Sequence, residues 1–202
     1  MHAQRSRGFR AVLAAASLWA LAGLGHAAPT VIGFEELGNV GTSGPVITNQ
    51  YAGVEFSSTN GMVNRVSSQA NIGDGLNFLC TATGSINCIG ETILTFAAGV
   101  SDLSFLAVGS NNAGVQAKVD VYVNNLLAAT QDITVGGVFN TPDLVDLSSF
   151  SNVTSIRLYG ITDGGGLGWD NFSFSTAVPE PGTAAMMLAG MALYAAGRRR
   201  RS

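Results

Sequence analysis

The sequence predicts an all-β protein, a single jelly-roll-like β-sandwich flanked by an N-terminal signal helix and a C-terminal hydrophobic helix. Three observations carry the β assignment. The helical period is absent from the middle of the chain, period-two alternation recurs there, and turn residues punctuate it at roughly 8 to 12 residue intervals. The clearest strand is 118–123, where Val119, Val121 and Val123 face one way and Lys118, Asp120 and Tyr122 the other.

Segment 155–159 repeats that scheme, with Ile156 and Leu158 inward. Taken in order, the other predicted strands are 31–34, 53–57, 62–66, 76–79, 92–96, 103–108, 126–131, 144–147 and 169–175. Between them stand Asn60-Gly61, Gly73-Asp74-Gly75, Asn111-Asn112, Asn124-Asn125, Gly136-Gly137 and Gly164-Gly165-Gly166, residues that reach turn conformations at low steric cost. Short strands with glycine-rich turns point to two packed sheets, with a jelly roll as the preferred topology.

Charge is segregated along the 202 residues. Residues 1–28 hold three arginines and no acid, and Arg198, Arg199, Arg200 and Arg201 form a terminal basic block. Between Pro29 and Ala177, twelve carboxylates face only Arg65, Lys118 and Arg157, a net charge of −9. Such a domain repels phosphate backbones, which argues against nucleic acid as a partner.

The basic start, the uncharged run from Ala11 to Gly25 and the small residues around Gly25-His26-Ala27 are the three parts of a secretory signal, with cleavage expected after Ala27. This assigns 1–27 to the signal and 28–177 to one extracellular domain. The remainder, 178–202, is a tail: Val178-Pro179-Glu180-Pro181, an uncharged stretch, then the arginines. As a helix, the 16 uncharged residues from Gly182 to Gly197 would rise about 24 Å, somewhat less than a bilayer core. Thinning or snorkelling would let it span, with the arginines as a cytoplasmic membrane stop. Two prolines around Glu180 hold the motif extended and keep it out of the helix behind it.

These residues resemble the PEP-CTERM sorting signal of Gram-negative bacteria that make exopolysaccharide. The resemblance implies that an exosortase-type membrane protease recognises Val178, Pro179, Glu180 and Pro181, passing the protein from an inner-membrane intermediate to the surface or beyond. The same tail is also labelled an ice-binding-protein C-terminal domain. An ice-binding face would need a flat array of threonines, and the threonines here are scattered.

Cys80 and Cys88 are the only cysteines, and an even pair in an exported segment reads as a disulfide closing a short loop. Both histidines, His2 and His26, precede the domain, which removes the usual general base of serine and cysteine triads and makes zinc a poor fit. Only carboxylates remain for catalysis. Glu35, Glu36, Glu55, Glu91 and Asp170 are candidates for a glycosidase pair, but no spacing selects two of them, so no enzymatic activity is assigned.

Ile32-Gly33-Phe34-Glu35-Glu36 and Trp169-Asp170-Asn171-Phe172-Ser173-Phe174 resemble the first and last strands of carbohydrate-binding-like β-sandwich modules. That resemblance implies that the terminal strands pair, and that Glu35 and Asp170 could hold a structural calcium, the one cofactor considered. Tyr122, Tyr159 and Trp169 are candidate sugar-stacking rings, Trp169 being equally well suited to the core. Residues 163–168, rich in glycine, lack the lysine and the following helix of a phosphate loop and read as a mobile turn.

The expectation is therefore an exported, non-enzymatic surface or matrix protein that is structural or glycan-binding, with exopolysaccharide as a partner and the membrane as a way station. The alternatives are a secreted carboxylate-dependent glycoside hydrolase and a plain membrane-anchored surface protein.

Overall fold

The computed structural model describes residues 28–72, 75–83, 87–176 and Gly190. The expected signal, sorting motif, hydrophobic helix and arginine block lie outside the described residues. Among those that are described, no helix is long and apolar enough to cross a membrane.

The domain is all-β. Its strands are β1 (Thr30–Ile32), β2 (Val54–Ser58), β3 (Val63–Ile72), β4 (Gly75–Ala82), β5 (Thr92–Val108), β6 (Ala113–Val123), β7 (Leu126–Gly136), β8 (Asp143–Asp146), β9 (Val153–Tyr159) and β10 (Gly168–Thr176). Alternation located each of them, with one merger. Segments 92–96 and 103–108 are two ends of the single strand β5, because the intervening residues stay within the strand, with Asp102 at a φ of 54°, through a register shift against β9 between Thr95 and Val100.

That merger replaces two separate sheets with one continuous antiparallel, sandwich-like sheet. The first half of β5 pairs with β2 and β9, and β9 continues to β6 and β7. Its second half pairs with β8 and β10, and β10 continues to β4 and β3. β1 joins the far half of β10, matching Thr30 with Phe174 and Ile32 with Phe172, so the terminal strands pair as expected.

Asn124 and Asn125 both take positive φ, 51° and 64°, and close the β6–β7 hairpin in two residues. Asn60 and Gly61, at 57° and 71°, instead turn the chain from β2 in the first ladder to β3 in the second. The free edge of β3 is covered by the preceding loop, whose Gly44 and Ile47 amides donate to the carbonyls of Val66 and Asn64 at 3.0 and 2.8 Å.

The inner faces of both ladders share one core. Val119, Val121, Ile156 and Leu158 enter it from the first ladder, and Leu79, Phe105, Trp169 and Phe172 from the second. Phe34, Phe56, Phe172 and Phe105 form a chain of ring contacts with centroids 5.5 to 6.4 Å apart. A second cluster of Ile72, Phe78, Cys80, Ala82, Cys88 and Val108 lies on the other face of β4 and β5. From Asn77 to Ala82, β4 is therefore buried on both faces.

Candidate functional site

Four of the five carboxylates considered for catalysis or calcium, Glu35, Glu36, Glu91 and Asp170, have hydrogen-bond partners among the described residues. Glu35 sits in a single 3₁₀ turn after β1, where its Oε1 accepts the amides of Leu76 and Asn77 at 2.8 and 2.7 Å and so ties down the start of β4. Glu36 accepts the Tyr51 hydroxyl. Burial, helped by that bond and by the Glu36 charge, pushes the Tyr51 hydroxyl well above its ordinary pKa. Glu55 is exposed on β2, opposite Thr95. Asp170 is fully buried and its Oδ1 accepts the Asn171 amide at 2.7 Å. Among the described residues, no three His, Cys, Asp or Glu side chains gather as a metal site.

Glu91 belongs to a network on the outer face of the first ladder. Arg157 binds it through Nε and Nη2, each 2.7 Å from a carboxylate oxygen, and places Nη1 3.6 Å from Asp120. The Glu91 bond, supported by the charges of Glu91 and Asp120, holds the guanidinium pKa well above its ordinary value against a burial penalty. Asp120 also accepts Thr130 at 2.6 Å and the Tyr159 hydroxyl at 3.1 Å. Lys118 pairs with Asp132 at 2.8 Å, through the register that sets β6 against β7.

Tyr122 and Tyr159 lie half-buried on this face. The Arg157 guanidinium stands 4.4 Å from the Tyr159 ring centre, so that ring already carries a stacking partner. Partial burial and the bond to Asp120 raise the Tyr159 pKa. Trp169 is not with them. It is wholly buried, edge-on to Phe105 at 5.8 Å, in register with Ala107 and Leu79. The core half of its double reading is thus the observed one, and the indole presents no face to a sugar.

What the sequence did not disclose is a pocket of about 230 Å³ on the outer side of the second ladder, lined by Thr42, Ser67, Ser68, Gln69, Phe78, Asn87, Asn111, Phe139 and Gly165. Several ties build it. Cys80 and Cys88 form the expected disulfide, with Cα atoms 4.9 Å apart. Cys88 pairs with Gly166, and its carbonyl accepts the Leu167 amide at 3.0 Å.

Asp163, 2% exposed, accepts the amides of Asn111, Asn112 and Gly165 at 2.7, 3.1 and 2.9 Å. Burial alone would raise its pKa, but these donors outweigh that and lower it. The 163–168 segment, expected to be a mobile turn, is therefore anchored at Asp163, Gly166 and Leu167. The only hint of the pocket in the sequence is the clustering of Asn and Gly in separate turns, and proximity in the chain does not show that those turns converge.

Comparison with known proteins adds an address. No curated protein matches the chain. A crystal structure of a cyclase from Fischerella sp. TAU is similar over 73% of this chain and 97% of that one, at 14% identity and a TM-score of 0.48, a likeness too slight to carry a function. Residues 177–201 match the PEP-CTERM protein-sorting motif.

Proposed function

We propose that the chain is an exported protein delivered by its PEP-CTERM tail to the cell surface or an exopolysaccharide matrix, where its β-domain is structural or binds glycan without catalysing a reaction. The observation that carries this reading is the motif match over 177–201. On it, an exosortase-type protease recognises Val178, Pro179, Glu180 and Pro181 after the uncharged stretch 182–197 and Arg198, Arg199, Arg200 and Arg201 have paused the chain in the inner membrane.

Two further features support the domain's part. The pairing order β5–β9–β6–β7 in one ladder and β4–β10–β5–β8 in the other supports the jelly-roll reading, with two successive strands fused into β5. Most of the candidate carboxylates also serve the fold: Glu91 binds Arg157, Glu35 accepts the amides of β4, Glu36 accepts the Tyr51 hydroxyl and Asp170 accepts the Asn171 amide, whereas Glu55 stands exposed. A glycosidase pair requires two carboxyl groups about 5 to 10 Å apart across a cleft.

The test is mass spectrometry of the native protein from cells with and without the processing protease, together with co-sedimentation with the exopolysaccharide. Loss of the residues after the Pro-Glu-Pro motif only when the protease is present supports the reading. An intact tail in both strains reduces the protein to a plain membrane-anchored one.

A further inference from the structure

We propose that the pocket on the outer side of the second ladder is a binding site for an uncharged saccharide, an inference that rests on the glycan-binding half of the proposed function. Its lining names the ligand class. Thr42, Gln69, Asn87 and Asn111 line it with hydroxyl and carboxamide groups, the Asn111 Nδ2 also donating to Asp163, and half-buried Phe139 adds phenyl surface beside the buried Phe78. Carboxamides present donor and acceptor together, which matches sugar hydroxyls that both give and take hydrogen bonds. The Phe139 ring suits the apolar C–H face of a pyranose.

Among the described residues, no charged side chain lines the pocket, although the domain carries twelve carboxylates and three basic residues. A uronate or phosphate would find no cation there and would meet a net negative domain. At about 230 Å³ the space lies below the range of drug-sized clefts, which suits one or two sugar units at a chain end.

The walls are positioned independently of any ligand. A Cβ on Gly165 would stand 2.8 Å from the Asn111 amide nitrogen, so glycine keeps that side open. Asp163 fixes Asn111 against Gly165. Asn87 precedes Cys88, whose disulfide and pairing with Gly166 set where that wall lies. The site is therefore completed only where the disulfide forms, in an oxidising compartment after export.

The experiment is calorimetric titration of the full chain, in a detergent without a sugar headgroup, with uncharged hexoses, cellotetraose and maltotetraose, and with tetragalacturonate as the anionic control. The expected result is binding of an uncharged probe that is equal at about 20 mM and about 500 mM salt, as screening of charge would not matter. Thr42→Trp, which fills the exposed rim, and Gln69→Ala should each weaken it at least about tenfold, and reduction of the disulfide should weaken it too. Circular dichroism confirms that each variant is folded, and Tyr122→Ala with Tyr159→Ala leaves binding unchanged.

If an uncharged probe binds and Thr42→Trp has no effect, or if tetragalacturonate binds preferentially, the pocket assignment falls while a glycan-binding role stands. If no probe binds the wild-type chain, the assignment also falls, and co-sedimentation with the matrix decides the broader role.

Discussion

Arg157 holds Glu91 through two hydrogen bonds of 2.7 Å, joining the middle of β9 to the residue that leads into β5. The same guanidinium faces Asp120, whose side chain is only 7% exposed, so one cation serves two carboxylates on one face of the sheet. Paired charges of this kind are costly to break from one side, because the carboxylates left behind keep their desolvation.

Arg157→Met is expected to destabilise the domain by about 1 to 2 kcal/mol, a charged hydrogen-bond value discounted because the guanidinium is partly exposed. Arg157→Lys should recover little of this, since a single ammonium cannot reproduce the planar fork. Urea unfolding midpoints measure both, and full recovery by lysine would show that the two-pronged geometry is unimportant.

Asp163 provides a pH test. Its folded pKa is lowered, so its contribution to stability is fully present above the ordinary aspartate value and is lost as pH falls through the folded one. Asp163→Asn should cost about 2 kcal/mol at neutral pH. The gap between wild type and variant should then close below the ordinary aspartate pKa. A gap that stays constant down to the acid transition would contradict the amide-donor account.

The three consecutive glycines of the last loop should respond differently to alanine. Gly166 has φ +83°, and a Cβ there would lie 2.5 Å from the Cys88 backbone nitrogen, whereas a Cβ on Gly164 would meet nothing within 4 Å. Gly166→Ala should therefore cost about 1 to 3 kcal/mol, and Gly164→Ala should stay within about 0.5 kcal/mol of wild type. Equal thermal shifts would mean that the loop is not held against Cys88.

Trp169 should behave as a core residue under every probe. With Trp19 replaced by phenylalanine, its emission is expected to be blue-shifted, poorly quenched by acrylamide and unmoved by saccharide. Trp169→Ala should cost about 3 to 5 kcal/mol. Trp169→Phe should cost far less, because among the described residues the buried indole N–H has no hydrogen-bond partner to lose. Strong quenching in the folded state would overturn its placement.

The strands were legible because burying one face of a ladder imposes a period of two on its residues, and 118–123 and 155–159 carry that period openly. The fusion of 92–96 with 103–108 was not legible. The small residues around Gly99 carry no strand pattern of their own, and only contact with Asn152, whose Oδ1 would sit 1.7 Å from a Cβ there, explains why glycine is needed within a continuing strand. Trp169 was ambiguous for a related reason, since an indole suits both a core and a sugar platform until its neighbours are known.

What the sequence determined by itself was local or compositional: the β class, the pairing of Cys80 with Cys88, and the motif that starts at Val178. Each depends on neighbours in the chain or on the absence of alternatives. Which side chains share a surface was decided by tertiary structure alone. Thr42, Gln69, Phe78, Asn87, Asn111 and Phe139 come from six separate stretches, and the Asp163 amide cradle and the Cys88–Gly166 pairing bring those stretches to one side of the sheet. Contacts between residues so distant in the chain leave no periodic trace in it, because each loop satisfies its own turn geometry whichever partner it meets.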